Sequence, residues 1–119
     1  MNDMNKITEV DLNPDLLTKI NNPAKAITTS LSSSGWKETN ITTSDKNIGI
    51  SDTMRYRYKY INNGIKSTSM VNVVFVGESR ELALDYGLSE VVSVSDGSIS
   101  FFSEELPEKS LNVIIQYIP

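Results

Sequence analysis

The closing stretch SVSDGSISFFSEELPEKSLNVIIQYIP, Ser93 to Pro119, decides the fold. It opens with apolar and small polar residues in alternation, breaks at Asp96-Gly97, and resumes the alternation through Ile99 and Phe101. An Asp-Gly pair between two such runs is a strong short-range signal for a β-hairpin. The acidic segment EELPEKS then turns the chain, with Pro107 setting a corner, and LNVIIQYI returns as a further strand. Two hairpin strands and a return strand can bury Val92, Val94, Ile99, Phe101, Val113 and Ile115 in one shared core, as in a sandwich of two sheets.

Upstream the same period recurs. TMRYRYKYI places Met54, Tyr56, Tyr58 and Tyr60 on one face and Arg55, Arg57 and Lys59 on the other. NNG at 62–64 reads as a second hairpin turn, with STSMVNVVFV returning as a strand partly buried on both faces. AITTSLSSSGW alternates Ile27, Thr29 and Leu31 and ends at a Gly-Trp corner. GESRELALDYGL breaks the β pattern: Leu82 and Tyr86 lie four apart, and Gly87 can end a two-turn helix. Residues 37–52 have no strong period and are rich in Thr, Asn, Asp and Ser, which predicts a long surface loop, with room for a short strand at Ile48 and Ile50. Near the N-terminus, Asn13, Pro14 and Asp15 start a short helix that Asn21, Asn22 and Pro23 stop. The fold expected is mainly β: a single antiparallel β-sandwich over residues 26–119, with one short helix between strands, behind an N-terminal tether with its own short helix over residues 1–25.

Length and composition narrow the function. A chain of 119 residues is one domain, long enough for a real core without cross-links. There is no cysteine and no histidine, so thiolate chemistry, zinc–sulfur sites and the commonest general base are excluded. Fifteen acidic against eleven basic residues, net −4, argue against a nucleic-acid partner. The apolar runs are too short to span a bilayer, and MNDMNKITEV lacks the apolar core of a signal peptide, so no membrane partner and no secretory route are expected.

The order of these parts resembles a β-sandwich domain of tailed-phage virion proteins. These are tail fibre and baseplate components, some of them carried in prophages and phage-tail-like bacteriocins. Leu31, Gly35 and Trp36 match its leading motif. Gly64, Gly97, Ile99, Phe101, Glu104, Pro107 and Val113 match its closing half, so that the resemblance covers about residues 26–118. It implies an architectural or adhesive role in a virion made in the bacterial host cytoplasm, with other virion proteins as partners and a host cell-surface glycan as a possible receptor. It supplies no catalytic residue and no cofactor. Between Trp36 and the tyrosine strand such proteins usually have only a few residues, so residues 38–52 stand out as an insertion. A capsid decoration or head-fibre protein, and a free-standing carbohydrate-binding module, are alternative uses of the same sandwich.

No catalytic, cofactor or metal residue is assigned. SSSGW is not a nucleophile elbow, and Glu104, Glu105 and Glu108 read as a solvated acidic turn. Asp45 and Asp52 lack the regular spacing of a calcium loop. Trp36 and the tyrosine stripe read as core. Arg55, Arg57 and Lys59 read as solvated or paired with acids. The candidate contacts are Asn40, Thr43, Asp45 and Asn47, neutral or acidic hydrogen-bonding groups in the insertion. Leu16, Leu17 and Ile20 form an apolar face on a helix too short to persist alone, from which fibre symmetry suggests a homo-trimer.

Overall fold

The computed structural model describes residues 24–119; Leu16, Leu17 and Ile20, and the trimer expected from them, lie outside the described residues. The described chain is an antiparallel sandwich of two sheets, as the alternation predicts. The strands are β1 (Lys25–Leu31), β2 (Trp36–Glu38), β3 (Tyr56–Ile61), β4 (Met70–Phe75), β5 (Ser93–Ser95), β6 (Ser98–Ser103) and β7 (Leu111–Ile118). Two short helices, α1 (Thr43–Asn47) and α2 (Ser79–Asp85), sit between strands. One sheet has the order β1-β7-β4 and the other β2-β3-β6-β5.

Period-two burial makes the core. In β7, Leu111, Val113, Ile115 and Tyr117 are buried, while Asn112 and Gln116 between them are exposed. They face Trp36, Ile99 and Phe101 from the other sheet, with Leu31 and Ile65 completing the cluster. Tyr56, Tyr58, Tyr60, Val92 and Val94 pack against it. Trp36 is a core residue, as expected. Its ring meets Tyr58 edge-on at a centroid distance of 5.5 Å, a geometry that aromatic quadrupoles favour.

The closing hairpin forms as read. Ser95 pairs with Ser98 across Asp96 and Gly97, and Gly97 has φ +82°. A Cβ on Gly97 would have only Asn63 Oδ1 near it, at 3.9 Å, so a substitution there strains the backbone and not the packing. Gly97→Val is expected to cost about 1–3 kcal/mol, read as a lower melting midpoint. An unchanged midpoint would show that another residue carries the turn.

NNG does not close a hairpin. β3 and β4 lie in different sheets, and both edges of β3 are taken, by β2 and β6. The segment between β3 and β4 therefore crosses the sandwich and drives Ile65 fully into the core on the way. Gly64 is needed for space: a Cβ there would approach the Tyr117 hydroxyl to 2.8 Å. The crossing is tied to the closing hairpin. Asn62 N donates to Gly97 O at 2.9 Å, Gly97 N to Ile65 O at 2.8 Å, and Ser67 N to the Asp96 carboxylate at 2.7 Å. The Ser67 bond holds the Asp96 pKa below its ordinary value. This contribution to stability is present above the usual carboxylate range and is lost as pH falls through the lowered pKa.

Residues 37–52 are not a plain surface loop. They contain β2 and α1, and Ile50, 2% exposed, is buried beneath them. The segment leans on the stretch before β5, since a Cβ on Gly49 would touch Val91 at 3.5 Å. Arg57 is not simply solvated either. Its guanidinium lies 5.2 Å from the centroid of Phe102, a fully buried ring on the side of β6 away from the core cluster. The α2 helix ends at Gly87 as predicted, with Leu82 and Tyr86 packed on the core. Among the described residues no helix is long and apolar enough to cross a membrane.

Candidate functional site

The register between β2 and β3 puts Glu38 opposite Tyr56 at one end of the four-stranded sheet. Beyond that pair the two chains stay together, because Thr39 N donates to Arg55 O at 2.9 Å. Arg55 N in turn donates to Ser103 O at 2.9 Å, which fixes the segment leading into β3 against β6. Between them the insertion leaves the sheet and returns. The result is a cleft of about 580 Å³ lined by Glu38, Thr39, Asn40, Ile41, Asp52, Met54, Arg55 and Tyr56.

Local hydrogen bonds stiffen both flanks. On one side Thr42 and Asp45 cap α1 reciprocally: Asp45 N donates to Thr42 Oγ1 at 3.1 Å, and Thr42 N to Asp45 Oδ2 at 3.0 Å. This is the capping-box arrangement, with an aspartate in the role glutamate usually fills. Ile50 N then donates to Asp45 O at 3.0 Å, folding the chain back after the helix. On the other side Thr53 N donates to Ser51 Oγ at 3.2 Å and Met54 N to Ser51 O at 3.3 Å. A short polar segment of this kind can hold a shape without core residues because its side chains bond its own backbone.

The cleft presents two carboxylates, one guanidinium, one side-chain amide, a threonine hydroxyl and a half-buried tyrosine. That set suits a polyhydroxylated ligand: planar acceptors and donors take hydroxyl groups in pairs. Two acids against one base leave the cleft mildly acidic, so an anionic ligand would be disfavoured. Among the described residues no three carboxylates converge as they would around a metal ion.

The four contact candidates divide. Asn40 lines the cleft and is exposed. Thr43 and Asn47 are exposed on α1, outside the cleft lining. Asp45 is buried, with one carboxylate oxygen committed to the cap, and so is a structural residue and not a contact; neither can it join Asp52 around calcium. Arg55 and Tyr56 are not among the candidates because strand pairing, not chain proximity, brings them to Asn40; Glu38, two residues before Asn40, joins them as the last residue of β2. A charged residue flanking each end of the unpatterned stretch was the available signal. Glu104, Glu105 and Glu108 are exposed around the buried Pro107, the arrangement of a solvated turn. Comparison of the chain with protein-family models, curated proteins and solved structures gives no match.

Proposed function

We propose that this chain is a non-catalytic component of a tailed-phage or phage-tail-like particle, in a tail fibre or baseplate appendage, and that its cleft contacts a neutral surface glycan of the host. The observation that carries the attachment role is the cleft itself: a preformed, polar, mildly acidic recess at one end of a β-sandwich, built by the segment that departs from the resembling domains. Attachment through such a recess needs many copies more than high single-site affinity, because linked weak sites gain from effective concentration. The order of motifs from Leu31-Gly35-Trp36 to Val113 supports the virion reading. A free-standing carbohydrate-binding module would use the same cleft, and a capsid decoration protein the same sandwich.

Two measurements test this. Negative-stain imaging of particles labelled with an antibody to the chain is expected to mark tails; label on capsids, or no label, removes the appendage reading. Binding to purified host cell-wall polysaccharide is expected to fall at least about tenfold, or roughly 1.4 kcal/mol, in Arg55→Ala and in Asn40→Ala, with melting unchanged. Equal binding by both variants would move the contact off the cleft.

A further inference from the structure

Among the described residues the three-stranded sheet ends at β4, and this edge shows none of the features that keep sheet edges apart. The strand MVNVVF is six residues long with no charge, proline or glycine. By contrast β2 and β5 are only three residues each, and β1 carries Lys25 and a run of Thr and Ser. Long, flat, apolar edges are a pairing hazard that proteins blunt or cover. Along β4, Met70 is 56% and Val74 43% exposed, and Leu84 on the neighbouring α2 is 82% exposed.

The free edge is set for a specific partner. Val76 N bonds to Asn112 O at 3.1 Å, which fixes the phase of the β4–β7 ladder. Antiparallel pairing alternates, so residues 70, 72 and 74 turn their backbone groups to β7, while Val71, Val73 and Phe75 turn theirs outward. Among the described residues no backbone bond reaches these outward groups from beyond the sheet. Apolar grooves flank both ends of the strand. One, about 360 Å³, includes Met70, Ala24 and Ile118; the other, about 370 Å³, includes Val74, Ala83, Leu84 and Leu88. The second groove is lined in part by the segment that bonds to β6, where Ser89 N donates to Phe102 O at 2.9 Å.

We propose that β4 pairs with β4 of a second copy of this chain, antiparallel and two-fold symmetric about Val73. In that register Val71 opposes Phe75 of the partner and Val73 opposes itself, so every outward backbone group exchanges a bond. The two-fold also lays the Met70 end of each strand over the Val74–Leu84 groove of the other. The charged residues lining the two grooves are Arg80 and Glu90, of opposite sign and both at the second, so no like charge opposes the contact. A two-fold through a strand with unlike ends needs this end-to-end complementarity, and β4 has it.

The register makes a sharp test. Asn72 faces Val74 of the partner as a non-hydrogen-bonded pair, the close spacing at which a disulfide fits. The chain has no cysteine of its own. Full-length protein is expected to scatter light with twice the 13.2 kDa chain mass at the top of a dilution series. Val74→Lys is expected to give monomers with the parent's circular dichroism and a melting point that no longer depends on concentration. Asn72→Lys, at an exposed position whose side chain bonds Gln116 Oε1 at 3.2 Å, is the second variant should the first misfold. A mixture of Asn72→Cys and Val74→Cys proteins should cross-link under mild oxidation, and each alone should not. A parent that stays monomeric, a three-chain mass, a dimer that survives both lysines, or cross-linking of either cysteine variant alone would each overturn the pairing.

Discussion

Truncating Phe101 to alanine is expected to remove about 3–5 kcal/mol of stability, the range for a large aromatic lost from a packed core. Phe101 is 1% exposed in the middle of β6, the strand that β3 and β5 flank. Its cross-strand partner is Tyr58, which in turn pairs with Trp36, so one rung of three aromatics crosses the sheet on its core face. Across the sandwich stand Val113 and Ile115 of β7, both fully buried. Neither β6 nor β7 can shift to refill the space, because each is a central strand bonded on both edges. The cavity therefore stays open, and the cost falls at the upper end of the range. Against a total of about 5–15 kcal/mol this is a large share. With a urea slope of about 1–3 kcal/mol per molar, the unfolding midpoint should drop by at least about 1 M. A loss under about 1 kcal/mol would mean that the two sheets are not packed through this ring.

The period-two pattern made the strands legible, and the Asp96-Gly97 pair made one hairpin legible, because both signals act within a few residues. Which strands share a sheet was not legible from such signals. Asn62, Asn63 and Gly64 have the composition of a hairpin turn, yet the pairing of β3 was settled elsewhere, by β6 reaching it from forty residues away along the chain and β2 from the other side. A turn signal states that the chain reverses; it carries no information about which layer the next strand enters. The same limit hid Phe102. On an alternating strand it falls on the face away from the core, yet it is fully buried, with the Arg57 guanidinium against its ring. At the site, composition pointed to the insertion, of whose four candidates Asn40 lines the cleft, while burial of Asp45 depended on a cap formed with Thr42, three residues back. That pair, Thr42 and Asp45 at capping-box spacing, stands in the sequence and was the readable sign that the stretch holds a helix.

Replacing residues 39–52 by Gly-Ser is expected to cost both stability and binding, and the two losses have different causes. A flexible loop of this length could be shortened almost freely, since closure entropy changes by only about 0.6 kcal/mol per doubling. This segment is not flexible filler. It delivers Ile50 to a buried site at 2% exposure, and removing that side chain alone should cost about 2–5 kcal/mol. It also delivers Thr39 to its bond with Arg55, and Asn40 to the cleft. Ile50→Ala in the full chain isolates the first effect: the melting point falls, and glycan binding, measured well below it, persists. Arg55→Ala isolates the second, because the backbone bonds of Arg55 to Thr39 and Ser103 do not involve its side chain. The shortened chain should show the sum, less stable by roughly the Ile50 amount and without cleft binding, as changes at separate sites add. A shortened chain that melts like the parent would show that the burial of Ile50 contributes nothing. One that still binds would place the contact on another surface.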